Sequence, residues 1–118
     1  MDHYSTFAVH PETLLQFGEM TDRYTPWTRV GNMVSNGAFT LTDWSLNRRI
    51  IVEKSEHYWD RDKVSLNDVN FYPMENVVSE ERMFRVEQLH YTQVVPLDKI
   101  PLYRDMPDTP YVLSLIHI

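Results

Sequence analysis

Between Asn36 and Lys54 the chain carries the pattern of a β-hairpin. Asn36-Gly37 is a turn signal, because both residues accept positive φ at little steric cost. Phe39, Leu41 and Asp43 then alternate with Thr40, Thr42 and Trp44, the period of a half-buried strand. Asn47 to Lys54 follows, with Ile50, Ile51 and Val52 at its centre, and Asp43 to Leu46 reads as the bend that pairs the two strands. This stretch commits the chain to a sheet, and helix signals on both sides of it make the order mixed α/β.

The first of those signals is Pro11, tolerated in a first helical turn because its missing N–H would have no partner there. Leu14, Leu15 and Phe17 give one apolar side to a short helix ending near Met20. Thr21 to Ser35 holds Pro26, Gly31 and Asn32 and reads as a loop, with Trp27 and Val30 pinning it to a core. Asp60-Arg61-Asp62-Lys63 is a charged turn, and Asp68 to Met74 a third strand with Val69 and Phe71 on one side. Ser79 with Glu80, Glu81 and Arg82 reads as an N-cap and acidic first turn, which suits the helix macrodipole. Met83, Phe84 and Val86 or Glu87 mark the apolar side of that helix. His90 to Val95 is expected as strand, Pro96 to Tyr103 as a second proline-started helix, and Tyr111 to Leu115 as a last strand after Pro107 and Pro110. Repeated strand–helix–strand order predicts an α/β lobe.

Composition removes whole classes of function. With 11 Lys+Arg against 17 Asp+Glu, the formal charge is −6. A nucleic-acid binder needs a basic face to displace phosphate counterions, and a membrane-surface module needs a polybasic one; neither fits. Cysteine is absent, which excludes disulfides, Cys-ligated zinc, iron–sulfur clusters and a thiol nucleophile together. The longest charge-free stretch, Val30 to Thr42, is too short to span a bilayer. Four acids precede the first basic residue, Arg23, so no secretory leader is read at the start, and a soluble chain is expected.

Catalytic and metal chemistry find little to work with. His3, His10, His57, His90 and His117 lack the close pairing that puts two imidazoles on one helix face, so no metal is expected. Asp60 and Asp62 have the opening spacing of a calcium loop, but the glycine and closing glutamate are missing. No Gly-x-Ser-x-Gly elbow occurs, three glycines are too few for a phosphate-cradling loop, and Glu80 and Glu81 are explained by a helix start. No enzyme and no cofactor are expected. Aromatics are the stronger signal at 13% of residues. Tyr58-Trp59 reads as a packing pair, or else as a wall facing a ligand. Tyr91, Thr92, Gln93 and Tyr111 offer polar tips to a pocket, the alternative being partners inside their own domain.

Ser35-Asn36-Gly37-Ala38-Phe39-Thr40-Leu41-Thr42-Asp43-Trp44, then Asn47 to Lys54 and Tyr58-Trp59-Asp60, resembles the family 5 extracellular solute-binding proteins of ABC importers, in the oligopeptide-binding branch. His3 to Pro11, Val30-Gly31-Asn32, Val69 to Met74 and Phe84 to Leu97 continue the likeness in the family's order. The resemblance implies part of one lobe of a two-lobed periplasmic-binding-protein fold, a mixed sheet with short helices, over residues 1–114. Leu115-Ile116-His117-Ile118 departs from the family and reads as a truncated or frame-shifted tail. A family glycine is also absent from Val86-Glu87-Gln88-Leu89, which leaves the helix end open by about a residue.

The same resemblance implies a periplasmic or extracellular protein, without a membrane span, that binds a short peptide and delivers it to an ABC permease. Peptide held through its main chain, as if adding a strand, would meet Thr92, Gln93 and Tyr111 by position. Alternatives are the same lobe serving another solute, a lobe in a transcriptional sensor, or a small stand-alone interaction protein.

Overall fold

A computed structural model describes residues 8–107, which fall into two compact units divided between Pro73 and Met74. The first unit is built on three antiparallel strands in the order β1-β2-β3: β1 Phe39–Ser45, β2 Arg49–Lys54 and β3 Asp68–Phe71. The hairpin is present, but its bend is Leu46-Asn47-Arg48 and not Asp43 to Leu46, because Ser45 already pairs with Arg49. Asn47 takes the left-handed conformation at φ 55 that its short polar side chain tolerates. Arg48 N–H then donates to Ser45 C=O at 3.0 Å. Asn36-Gly37 forms a bend without positive φ; Gly37 N–H donates to Ser35 Oγ at 3.3 Å, so a side chain supplies the turn's bond.

A β-bulge interrupts β1 between Leu41 and Asp43. One extra residue, Thr42, moves everything after it to the opposite face. Leu41 pairs with Val52 and Trp44 with Ile50, so Trp44 joins Phe39 and Leu41 instead of opposing them. Ile50 and Val52 pair onward with Phe71 and Val69, which completes one apolar face across three strands. Asp43 passes to the other face, where its carboxylate accepts from Arg49 Nε at 3.0 Å and from Ser45 Oγ. The alternation expected from sequence thus holds only as far as Leu41. Beyond the regular ladder, Lys54 N–H donates to Asn67 C=O and its ammonium to Val64 C=O, tying the β2–β3 connection back to the strand.

Helix α1 is shorter than expected, Pro11–Leu15 and not Pro11 to Met20. Gly18 lies at φ 152, outside helical space, and Asp22 Oδ2 accepts from Glu19 N–H at 2.8 Å to build a turn there instead. The following loop contains a 3₁₀ turn, Pro26–Thr28, closed by Asn32 Nδ2 donating to Pro26 C=O. Trp27 is half-buried on that turn, whereas Val30 is exposed and does not pin the loop. Tyr58 and Trp59 touch each other with ring centroids 5.8 Å apart, but Trp59 is 83% exposed. The rings meet at a tilt of 55°, Tyr58 is half-buried, and the two are not buried together as a core pair.

In the second unit, helix α2 spans Val77–Arg85. Asn76, three residues before Ser79, is its cap, and Asn76 Oδ1 accepts from Ser79 N–H at 3.0 Å. Ser79 is therefore the third helical residue, not the N-cap. The helix ends with Glu87 N–H bonded to Phe84 C=O and Gln88 N–H to Met83 C=O, the paired bonds of a Schellman turn. His90 to Val95 is irregular, not a strand: Thr92 and Gln93 direct donors to a side-chain carboxylate, and the described strands all belong to the first unit. The helix expected from Pro96 to Tyr103 is split: Pro96 stands at the N-cap of a 3₁₀ turn, Leu97–Lys99, which runs into α3, Ile100–Arg104, and the proline in the first turn of α3 is Pro101. His3, Pro110, the last expected strand with Tyr111, and residues 115–118 lie outside the described residues.

Candidate functional site

The loop after α2 carries Thr92 and Gln93. Their geometry is set by one carboxylate oxygen: Glu80 Oε1 accepts from Thr92 Oγ1 at 2.6 Å and from Gln93 N–H at 2.8 Å. Thr92 Oγ1 also lies 3.1 Å from Val94 C=O. Glu80 can do this because the Asn76 cap places it in the first turn of α2, where the helix N-terminus favours negative charge. Charged acceptors make the shorter and stronger hydrogen bonds, so this is a firm anchor for a loop without regular structure.

Tyr91, on the same loop, is 77% exposed, and the Gln93 side chain is exposed as well. The structure therefore brings Thr92 and Gln93 together on one anchor, with the Thr92 hydroxyl engaged inside its own unit. Tyr111 lies outside the described residues. Below the loop, the neighbouring Glu81 is buried and its Oε1 accepts from the Tyr103 hydroxyl, which joins α3 to α2. Sequence reasoning assigned both glutamates to a helix start and missed these two anchors. The adjacent acid pair was the available signal, but nothing in the spacing shows which residues twelve or more positions away would meet it.

A concavity lies in the first unit, a shallow groove of about 230 Å³ against Met33, Phe39, Leu41, Trp44, Ile50 and Val52. It is apolar, and the bulge at Thr42 creates it by turning Trp44 to that side. The groove presents no titratable side chain among these residues. Among the described residues no cluster of three or more His, Asp or Glu could hold a metal ion, and no helix is long and apolar enough to cross a membrane.

Residues 2–115 match the family described as bacterial extracellular solute-binding proteins, family 5 middle. The periplasmic oligopeptide-binding protein OppA of Escherichia coli is 34% identical over 112 residues, covering 93% of this chain and 20% of that protein. Among solved structures, OppA of Burkholderia pseudomallei superposes with a TM-score of 0.71 at 35% identity, over 80% of this chain and 17% of its own. The murein tripeptide-binding protein MppA of Escherichia coli gives a TM-score of 0.74 at 26% identity, over 86% of this chain and 19% of its own. Those matches are to lobes of periplasmic binding proteins, so the α/β lobe fold expected from sequence is the one observed. The chain spans about a fifth of the length of these relatives.

Proposed function

Because the chain belongs to the bacterial extracellular solute-binding proteins of family 5, we propose that it is a section of a peptide-binding component of an ABC importer. The observation that carries this reading is the 34% identity, sustained over 93% of the chain, with a periplasmic oligopeptide-binding protein. Within that reading the protein works outside the cytoplasmic membrane and hands its ligand to a permease. It binds and releases peptide without altering it.

The loop at Tyr91 to Gln93 suits the task. Peptides held in extended form are gripped mainly through main-chain donors and acceptors, with side chains left to roomy pockets. Gln93 and Tyr91 offer an amide and a phenol on an exposed loop, which supports a contact role for them; Tyr111 is proposed alongside them by position alone. Binding of this kind gains from two lobes closing over the ligand. A single section forfeits most of that enclosure, so the 118-residue chain alone is expected to bind peptide only weakly.

Calorimetry of the full-length protein with mixed di- to pentapeptides tests the reading. Saturable heat with peptides is the expected result. Silence with every peptide, together with a clear signal from a sugar or a metal chelate, would sink the peptide assignment.

A further inference from the structure

We propose that Glu80 is the positioning residue of the ligand loop, fixing Thr92 and the Gln93 backbone so that the neighbouring side chains meet the peptide already ordered. The inference rests on the peptide-binding reading and adds a division of labour within the site. Thr92 Oγ1 donates to Glu80 Oε1 at 2.6 Å, and Gln93 N–H donates to the same oxygen at 2.8 Å. A hydroxyl held by a carboxylate is not free to turn its proton toward a ligand, so the Thr92 donor serves the loop and not the peptide. Contact then falls to the exposed side chains of Gln93 and Tyr91.

The anchor matters because residues 90–95 join no strand ladder among the described residues. They form neither strand nor helix. The fixed points of Thr92 and Gln93 are the bonds to Glu80, which sits on the rigid first turn of α2, and the Thr92 hydroxyl's contact with Val94 C=O. Glu80 N–H in turn is bonded to Asn76 C=O at 3.0 Å, so the carboxylate is carried by a capped helix. A loop pre-set in this way binds without first losing its freedom at the moment of association, and preorganisation of a few residues is worth about tenfold in affinity.

The test uses the full-length protein and a random tripeptide pool, comparing Glu80→Ala and Glu80→Gln with the unaltered protein. Glutamine keeps an oxygen that accepts both bonds; alanine removes it. Amide hydrogen exchange at Gln93 should rise in Glu80→Ala and return close to the original rate in Glu80→Gln. Peptide affinity should fall about tenfold in the alanine variant and recover in the glutamine variant, with the melting temperature of the three proteins nearly level. Unchanged Gln93 exchange in Glu80→Ala overturns the proposal, as does faster exchange with undiminished affinity, or a glutamine variant as weak as alanine. Failure of the peptide reading looks different: the unaltered protein itself then takes up none of the pool.

Discussion

The Tyr103 hydroxyl donates a hydrogen bond to Glu81 Oε1 across 22 positions of sequence. Both side chains are removed from water, Tyr103 at 2% exposure and Glu81 at 4%. Arg85 Nε stands 3.9 Å from the same oxygen, one helical turn along α2. A carboxylate so deeply buried keeps its place only with partners, and the phenol is the one that crosses between helices.

Tyr103→Phe should therefore destabilise the chain by about 1–3 kcal/mol, the cost of leaving a buried acceptor short of a donor. Urea unfolding followed by far-ultraviolet circular dichroism measures it, through a lower midpoint at an unchanged slope. A midpoint equal to that of the parent would mean that water replaces the phenol and that the latch contributes nothing.

Glu87 makes the opposite prediction. It sits at φ 59, in the position of the helix-ending turn that glycine ordinarily fills. A side chain in that conformation costs roughly 1–2 kcal/mol, against roughly 0.5–1 kcal/mol of extra chain entropy for glycine. Glu87→Gly should then raise stability by about 0.5–1 kcal/mol, while Glu87→Ala, which keeps the Cβ, should not. The same urea titration separates the two variants.

These positions also show where the sequence was readable. The missing glycine at Val86-Glu87-Gln88-Leu89 was visible, and the structure shows that the turn forms without it, through Glu87 itself. The hairpin and the helical character of the segment after Pro96 were legible because alternation and a leading proline are local signals, although that segment divides into a 3₁₀ turn and α3. The bulge was not, since Thr42 looks like any strand residue and its extra place in the ladder depends on what β2 presents opposite. The expected strand at His90 to Val95 failed for a related reason. Its β-prone residues have no described neighbouring strand, and a carboxylate twelve residues upstream captures the Thr92 hydroxyl. At the site, Thr92 and Gln93 were reached by position within a family, whereas Glu80 could be found only from the fold.

The identity of the α2 cap can be settled by a pair of substitutions. Asn76 Oδ1 accepts from Ser79 N–H, whereas Ser79 contributes only its backbone to that bond. Asn76→Ala should cost about 1 kcal/mol, the usual penalty for an emptied N-cap. Ser79→Ala should change stability by no more than about 0.5 kcal/mol, as exposed substitutions away from caps and cores do. A larger loss from Ser79→Ala than from Asn76→Ala, by thermal or urea unfolding, would move the helix start back to Ser79.

The bulge at Thr42 gives the remaining prediction. It places Trp44 on the face of Leu41, Ile50, Val52 and Phe71, and Ile51 on the other. Trp44 and Phe71 are each 52% exposed, so this unit presents a contiguous apolar face to solvent. Such a face takes up an anilinonaphthalene dye, and the 118-residue chain should enhance its fluorescence. Trp44→Thr combined with Phe71→Thr should remove more than about half of that enhancement, because the two rings supply much of the exposed apolar area. Ile51→Thr should leave it nearly intact. Circular dichroism of each variant confirms that the sheet is retained, since an unfolded variant would bind dye for a different reason. Strict alternation through Thr42 would instead put Trp44 and Ile51 on one face, and equal losses from the Trp44 and Ile51 substitutions, each made singly, would disprove the bulged register.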